Sequence, residues 1–366
     1  MAASAHTPPA RIQKSFREAL NGGVFPGAVV LVQDADGRRW IEAYGVADSA
    51  TGEAARPDTV FDLASLTKPL CTALAVMQLI ASGRLSLEDR LGDVLASFSA
   101  TDKADILIRH LLSHQAGFPA WRPYFEILRE KPMAERREVL ISLLVNEPLE
   151  ATPGAVSLYS DLDFLVLQIV VETLSGRHLD HYAAEKIYRP LGLAADLFFT
   201  STRVSPPPRA FAATENCPWR GRVLKGHVHD DNAYSLGGVA GHAGLFGTAT
   251  AVGDLLSALL TAYRRSSVAG VFDPDLVRLF FKRCPPSDGA LGFDTPAARD
   301  SSSGRYFSPN TVGHLGFTGT SFWMDLDRGI VVVLLTNRVH PSRANEDIRA
   351  FRPVIHDQIM AALGIA

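Results

Sequence analysis

The segment of residues 330–337 (IVVVLLTN) limits the possible folds most, because it is apolar on both faces of an extended strand. Such a strand lies inside a sheet and must be covered by helices on each side. The segment of residues 321–326 (SFWMDL) precedes it across the short turn Asp-Arg-Gly, so the two segments predict an antiparallel hairpin. Helical periodicity at Ala10–Asn21 and within residues 346–363 marks candidates for the covering helices at both chain ends.

A second hairpin is predicted near the start of the chain. Gly27–Gln33 (GAVVLVQ) and residues 38–46 (RRWIEAYGV) flank a turn sequence at residues 34–37. Between the two hairpins, helical periodicity followed by glycine stops predicts helices at residues 69–82, 106–113, 136–145, Asp161–Ser175, residues 179–188 and Ala249–Arg264. A helical region is therefore inserted between sheet-forming ends.

Composition and charge exclude several classes of protein. The 366 residues are 47% hydrophobic and 20% charged, as in globular chains of about two domains and unlike disordered chains. A net charge of −3 gives no basic footprint for nucleic acid or an anionic membrane. The best apolar run, residues 329–335, has strand length and is too short to cross a bilayer. Pro8, Pro9 and Arg11 lie where a secretory signal would need a continuous apolar stretch. The three cysteines are scattered and predict no disulfide framework, so we expect a cytoplasmic protein.

The first chemical motif is Ser65-Leu66-Thr67-Lys68, at the start of the most apolar predicted helix. Three-residue spacing on a helical turn puts the Ser65 hydroxyl and the Lys68 ammonium on one face. A serine needs a neighbouring base or cation to become a nucleophile, and a helix start adds N–H groups that favour developing negative charge. Taken alone, the pattern also fits an N-cap serine beside a solvated lysine.

The second motif is Tyr159-Ser160-Asp161, which opens the helix predicted at Asp161–Ser175. A phenol that titrates near pH 10 can act as a base only when a cation such as Lys68 lowers its pKa. The structural alternative makes Asp161 a helix N-cap and Tyr159 a residue that packs against the helix start.

The third motif is the glycine-rich segment of residues 313–321 (GHLGFTGTS), directly before a hairpin strand. Its glycines allow a ligand to approach the sheet edge closely. The segment lacks the lysine of a phosphate-binding loop and is followed by a strand, so it does not predict nucleotide binding. The alternative interpretation is a simple glycine-rich bend.

In this order, the three motifs resemble those of the serine β-lactamase and penicillin-recognising family, specifically its class C-like branch of esterases and DD-peptidases. Ser65-x-x-Lys68 is similar to the family's S-x-x-K element. Tyr159-Ser160-Asp161 is similar to its Y-x-N element, and His314-Leu315-Gly316 to its K-T-G or H-x-G element. Residues 108–117 (IRHLLSHQAG) and 241–246 (GHAGLF) resemble two further segments, so the resemblance covers most of the chain.

The resemblance implies a fold and roles for individual residues. The fold is α/β (α+β), a mainly antiparallel sheet flanked by helices with an inserted helical region. We expect a sheet domain of residues 1–70 and 236–366, a mainly helical domain of residues 71–235, and an active site at their junction. Ser65 is the implied nucleophile, and Lys68 and Tyr159 form its activating pair. The implied oxyanion hole consists of the backbone N–H groups of Ser65 and Phe317, beside Gly316.

Three departures from the family pattern concern the substrate. Asp161 replaces the usual Asn, His314 replaces the lactamase Lys, and Leu315 replaces its Thr. A neutral histidine offers a substrate carboxylate one donor instead of a permanent cation, so tight carboxylate capture is not expected of His314. An ionised Asp161, placed against Lys68 or the substrate, keeps Lys68 protonated, which favours Tyr159 as the base without excluding Lys68.

Competing motifs are weaker. Residues 227–232 (HVHDDN) imitate a zinc signature but lack its last histidine and follow no strand. His110 and His114 share one helical face without a neighbouring zincin glutamate, so we expect them to form hydrogen bonds in the helical region. Residues 238–247 lack the strand-turn-helix context of a dinucleotide loop, and the chain has no G-x-S-x-G elbow.

The sequence therefore predicts a serine hydrolase that cleaves small esters or related acyl substrates through an acyl-enzyme. We expect a small-molecule acyl substrate and no metal or organic cofactor. β-Lactamase or D-Ala-D-Ala carboxypeptidase activity is the alternative within the same chemistry. A protein that binds acyl ligands without turnover, as a sensor does, is the alternative of a different class. The oligomeric state is left open.

Overall fold

The computed structural model describes residues 8–201, 207–264 and 270–365, so residues 1–7 of the N-terminal sequence lie outside it. Within these ranges the strands are β1 Gly27–Gln33, β2 Arg39–Asp48, β3 Glu53–Ala54, β4 Phe61–Asp62, β5 Leu197–Phe199, β6 Ala213–Cys217, β7 Arg222–Lys225, β8 Leu245–Gly247, β9 Thr311–Leu315, β10 Ser321–Asp325 and β11 Ile330–Thr336. The α-helices are α1 Ala10–Asn21, α2 Leu74–Ala81, α3 Leu91–Val94, α4 Ile108–Leu112, α5 Phe125–Leu128, α6 Arg136–Asn146, α7 Asp161–Ser175, α8 Leu179–Ala183, α9 Asp231–Ser235, α10 Ala249–Arg264, α11 Pro274–Phe280 and α12 Ile348–Ala362.

Both ends of the chain contribute to one six-stranded antiparallel sheet, in the order β3-β2-β1-β11-β10-β9. The two predicted hairpins are confirmed as β1–β2 and β10–β11, joined through the pairing of β1 with β11. In that pairing Val30 lies opposite Leu334 and Val32 opposite Val332. The strand that was expected to be buried on both faces thus lies inside the sheet.

Helices cover the two faces of the sheet, as the apolar pattern predicts. Val30 and Val332 lie in one core cluster with residues of α1 and α12, whereas Leu31 and Val333 lie in another with residues of α10. The alternation follows from the two-residue period of a strand. Burying one such side chain stabilises the fold by roughly 1.5–3 kcal/mol.

The helix predicted at residues 69–82 begins earlier and less regularly than expected. It starts as a 3₁₀ turn at Ala64–Leu66, continues as a π-helical turn at Lys68–Ala73 and becomes regular only in α2. The stretch Ala64–Ala81 is apolar and long enough to cross a membrane, but 78% of it is buried inside the protein. Its composition is therefore accounted for by the core, where it serves as the central helix.

The sheet and the inserted helices share one hydrophobic core. The largest cluster contains Val29 and Val333 from the sheet together with Leu74 and Leu165 from the helices. A small three-stranded sheet, in the order β4-β8-β5, lies directly before the start of the central helix. The division at residues 70 and 235 stays a prediction.

Candidate active site

Ser65 lies in the 3₁₀ turn that follows β4, and the turn is fixed by contacts on both sides. Ala64 has φ +48°, a left-handed conformation that costs a residue with a side chain about 1–3 kcal/mol. The Asp62 carboxylate accepts a hydrogen bond from Ala64 N at 2.9 Å, and the Leu245 carbonyl accepts one from Leu63 N at 2.9 Å. The surrounding chain thus holds a strained turn that presents Ser65, which is half-buried.

Lys68 is fully buried beneath Ser65 and donates three hydrogen bonds. Its Nζ lies 3.2 Å from Ser65 Oγ, 2.7 Å from Asp161 Oδ1 and 3.3 Å from the His242 carbonyl. Burial lowers the pKa of Lys68, but the Asp161 charge and the Tyr159 phenol outweigh it and raise the pKa overall. Lys68 is therefore an ammonium whose three protons are all directed at acceptors.

Tyr159 stands beside this pair at the wall of the cleft, where its side chain is 42% exposed. Lys68 Nζ lies 4.8 Å from the centre of its ring. Although the residue is partly exposed at the cleft, burial of its phenol oxygen raises the pKa of Tyr159; Lys68 opposes this, the Asp161 charge adds to it, and the net direction is upward. The cation expected to lower the pKa of Tyr159 is present, but its effect is outweighed, so the resting phenol is neutral.

Ser160, not Asp161, caps helix α7. Ser160 Oγ accepts hydrogen bonds from Leu162 N at 3.1 Å and Asp163 N at 3.4 Å, and it donates to the Pro119 carbonyl at 2.7 Å. The alternative that treated Asp161 as the N-cap is wrong, because a serine one residue earlier fills that position. Asp161 is left free to contact Lys68.

His114 supports the Tyr159 segment from below, a role that the sequence did not reveal. Its carbonyl accepts a hydrogen bond from Leu158 N at 2.8 Å, and its Nδ1 accepts one from Ser160 N at 3.2 Å. Its ring centre lies 4.6 Å from that of Tyr159. The buried Asp163 carboxyl contacts the same Nδ1 at 3.0 Å. The expectation that His114 forms hydrogen bonds in the helical region is confirmed, and both residues that flank Tyr159 depend on it.

His314 lies on β9, across the cleft, and is 3% exposed. Its ring centre is 6.1 Å from that of Tyr159. Its Nδ1 lies 2.8 Å from the Leu315 carbonyl, which can only accept, so Nδ1 carries the proton. Burial lowers the pKa of His314, with Asp294 opposing and Lys68 assisting. The single donor expected to face a substrate carboxylate is thus already used within the chain.

The glycine-rich turn after β9 is tied to the chain just before Ser65. Thr318 Oγ1 donates to the Asp62 carbonyl at 2.7 Å, and Thr320 Oγ1 donates to the Leu63 carbonyl at 3.0 Å. A side chain at Gly316 would collide with Thr320 Oγ1 and the Leu63 carbonyl, which explains the glycine. The turn therefore presents its backbone close to Ser65.

Phe317, next in this turn, projects its ring toward the cleft and is 48% exposed. The ring stacks on His229 at a centroid distance of 5.6 Å, and the Arg338 guanidinium lies 4.5 Å from its centre. Arg338 Nε also donates to the Phe317 carbonyl at 2.8 Å. These contacts fix the backbone of Phe317 as well as its ring.

The zinc-like segment directly follows β7, so the expectation that no strand precedes it is wrong, but its residues form structural contacts beside the site. His229 N donates to Asp62 Oδ2 at 2.7 Å, and its Nε2 lies 3.2 Å from Glu215 Oε2. Asp161, Asp230 and His242 each place one possible ligand atom within 4.8 Å of the others. Because the Lys68 ammonium already lies against Asp161, a metal ion there would be repelled by a buried positive charge.

A cleft of about 880 Å³ brings the predicted residues together. Ser65, Tyr159, Asp161, His314, Gly316 and Phe317 all line it, and Lys68 lies buried beneath Ser65. Sequence reasoning missed two further parts of the wall: the exposed Trp121 and four arginines from the region before and within α12, namely Arg338, Arg343, Arg349 and Arg352. No motif spacing linked them to Ser65.

Comparison with known proteins gives the family. Residues 12–353 match the family model described as Beta-lactamase. The chain belongs to the β-lactamase family. A protein of Salmonella agona (strain SL483) named "Putative D-alanyl-D-alanine carboxypeptidase" is 32% identical over 317 residues, which cover 80% of this chain and 73% of that protein. A homologue of the same name in Salmonella typhimurium (strain LT2) matches equally, with the same identity and coverage.

Solved structures of other proteins share this fold. The hydrolase EstCE1, described as having promiscuous acyltransferase activity, superposes with a TM-score of 0.74 at 24% identity, covering 95% of this chain and 97% of that one. The octameric penicillin-binding protein homologue from Pyrococcus abyssi has a TM-score of 0.73 at 18% identity, covering 98% and 78%. The β-lactamase-family fold is thus confirmed, and with the family match it identifies this chain as a serine hydrolase.

Proposed function

We propose that this β-lactamase-family enzyme hydrolyses small esters through an acyl-enzyme formed on Ser65. The observation that carries the proposal is the buried Lys68 ammonium, which contacts both Ser65 Oγ and Asp161 Oδ1 directly below the cleft. A buried cation beside a serine hydroxyl stabilises the alkoxide that develops as the serine attacks. The alternative of an N-cap serine beside a solvated lysine does not account for this contact, because no side chain caps the helix start and Lys68 is buried.

Tyr159 is the base of the proposed acylation step. Lys68 has no lone pair while it is an ammonium, so it cannot accept the Ser65 proton. The phenolate form of Tyr159, stabilised by Lys68, takes that proton as Ser65 Oγ bonds to the acyl carbon. Tyr159 then gives the proton to the departing alkoxide, which leaves the acyl group on Ser65. The backbone N–H groups of Ser65 and Phe317 stabilise the oxyanion.

The charges and rings of the cleft favour a neutral acyl substrate. Arg352 donates to the carbonyls of Gly316 and Thr320, and Arg343 forms ion pairs with Glu215 and Asp231. Arg343 is thus neutralised, Arg352 is held against carbonyl oxygens, and six carboxylates line the cleft beside its four arginines, so no net positive charge attracts a substrate carboxylate. The exposed rings of Trp121 and Phe317 offer apolar contact to an acyl chain or to the leaving group.

Cleavage of D-Ala-D-Ala peptides is the second candidate function, because the similar Salmonella proteins are named for it. The reaction would use the same serine and the same cleft. It differs in requiring recognition of a peptide carboxylate, for which the cleft offers Arg349 at the start of α12, whose ion-pair partner is the exposed Glu346.

A substrate panel tests the proposal. Purified protein is assayed with p-nitrophenyl acetate, p-nitrophenyl butyrate, a chromogenic cephalosporin and a peptide that ends in D-Ala-D-Ala. We expect turnover of both esters, absent in Ser65→Ala, and weaker or no turnover of the other two. Release of D-Ala faster than ester hydrolysis would favour the second function. Ester turnover that survives in Ser65→Ala would refute the mechanism.

A further inference from the structure

A second cavity opens behind the wall of the cleft that faces Ser65. It measures about 320 Å³ and shares three lining residues with the main cleft, namely Tyr159, Asp294 and His314. The rest of its wall is largely polar and includes Ser113, Ser157, Ser287 and Asp288. A volume and lining of this kind suit water or a small hydroxyl compound better than an apolar acyl chain.

His314, between these two spaces, presents a free base. Because Nδ1–H donates to the Leu315 carbonyl, the lone pair is on Nε2. Among the described residues, Nε2 has no hydrogen-bond partner. The charged groups that act on the ring are Asp294, Lys68 and Asp161. Burial lowers the pKa of His314, which favours the neutral base at neutral pH.

We propose that His314 Nε2 is the general base of the deacylation half-reaction, for a water or small-alcohol nucleophile that enters through the second cavity. The inference rests on the function proposed above. It adds the base of the deacylation step and the class of compound that accepts the acyl group. If the acceptor is an alcohol, the enzyme is an acyltransferase; if it is water, a hydrolase.

The proton and bond changes of this step balance within the site. The nucleophile's O–H proton passes to His314 Nε2 as its oxygen bonds to the acyl carbon. Acylation leaves Tyr159 as the phenolate, and the imidazolium passes its proton to that phenolate across a ring-centre distance of 6.1 Å that one water can bridge. Tyr159 gives the proton to Ser65 Oγ as the bond from the acyl carbon to that oxygen breaks. Every group ends as it began.

The position of Asp294 supports this role. Its backbone forms two hydrogen bonds with Gly313, each 2.8 Å, which place it beside His314 on the edge of β9. A carboxylate at this place stabilises the imidazolium that forms when Nε2 takes a proton.

Burst kinetics of His314→Gln test the proposal. Rapid mixing with p-nitrophenyl butyrate measures acylation as the burst and deacylation as the steady-state rate. We expect a burst of about one equivalent in the variant with a steady-state rate at least tenfold lower, since general-base catalysis contributes about 10²–10⁴-fold. The butyryl adduct on Ser65 should accumulate in the intact mass. The matched control is His181→Gln, because the side chain of His181 is 75% exposed and lines neither the cleft nor the second cavity.

The outcomes separate this inference from the proposed function. A steady-state rate in His314→Gln within twofold of wild type, or equal losses of burst and steady-state rate, would overturn the role of His314. Addition of glycerol to wild type should raise the rate of p-nitrophenol release and yield glyceryl butyrate. This gain should be lost in the variant, and a gain that persists there would also overturn the role of His314. The burst amplitude counts the folded active sites. If His314→Gln gives no burst, the same measurement is made with His314→Asn. Absence of any acyl adduct in wild type would instead refute the proposed function.

Discussion

Asp161→Asn removes one negative charge beside the proposed catalytic groups and keeps the shape and one oxygen acceptor of the side chain. Asp161 Oδ1 lies 2.7 Å from Lys68 Nζ, and its charge raises the pKa of both Lys68 and Tyr159. The aspartate therefore reduces the amount of phenolate at neutral pH. We predict that the substitution shifts the activity of the enzyme toward lower pH.

Coulomb's law for neighbouring charges gives the order of magnitude of the effect. Two unit charges about 4 Å apart interact by about 1 kcal/mol in water and by about 4 kcal/mol at a protein surface. Because about 1.4 kcal/mol corresponds to one pKa unit, removing the charge should lower the pKa of Tyr159 by roughly 1 to 3. The phenolate fraction at neutral pH then rises about ten- to a thousandfold. A weaker base transfers protons less readily, so we expect a gain in kcat/KM of about three- to thirtyfold.

The assay is kcat/KM for p-nitrophenyl butyrate from about pH 6 to pH 10, in wild type, Asp161→Asn and a control. Asp275→Asn is a suitable control, because that side chain is 94% exposed and outside the cleft. The rise of kcat/KM with pH should begin at lower pH in Asp161→Asn alone. An unchanged profile, or one displaced to higher pH, would refute phenolate catalysis controlled by Asp161.

Three further predictions concern other parts of the account. In His314→Lys, kcat/KM for a penicillin-like anion relative to a neutral ester should rise by at most about tenfold, or about 1.4 kcal/mol; an unchanged ratio would show that residue 314 does not face the substrate carboxylate. Burial raises the pKa of Glu215, but His229 and Arg343 outweigh it and lower the pKa from 4.5 to about 2. The ionised Glu215 therefore stabilises the folded protein above pH 4.5, and this contribution is lost as the pH falls toward 2. Glu215→Gln should accordingly lose at most about 3 kcal/mol in urea unfolding at pH 7 and converge with wild type near pH 2, whereas an equal difference at both pH values would contradict this reasoning. Treatment with EDTA should leave ester hydrolysis unchanged, and a loss restored by zinc would contradict a serine mechanism.

Local patterns predicted most of the fold. The predicted limits are correct within a few residues for both hairpins and for the helices α1, α6, α7, α10 and α12. These elements were predictable because the spacing of apolar residues follows the period of a strand or a helix. The start of the central helix was placed too late, at residue 69. Ala64 and the π-helical turn at Lys68–Ala73 are imposed by contacts with distant segments, which no local pattern reports.

The sequence predicted which residues form the site, but it did not predict their protonation states. Motif order brought together Ser65, Lys68, Tyr159 and His314, which lie up to about 250 positions apart in the chain. The use of the His314 donor on Leu315 and the upward pKa of Tyr159 depend on burial and on single hydrogen bonds. The support from His114 and Asp163 depends on packing between α4 and α7. The cytoplasmic location and the acyl substrate stay predictions.

Intact mass spectrometry after treatment with a fluorophosphonate probe tests the central claim most directly. The probe forms a stable phosphonyl adduct with an activated serine, so it reports the nucleophile without requiring knowledge of the substrate. We predict one adduct per wild-type chain, mapped to Ser65 by peptide analysis, and none in Ser65→Ala with an unchanged melting temperature. An adduct that persists in the folded Ser65→Ala variant, or maps to another residue, would contradict the account.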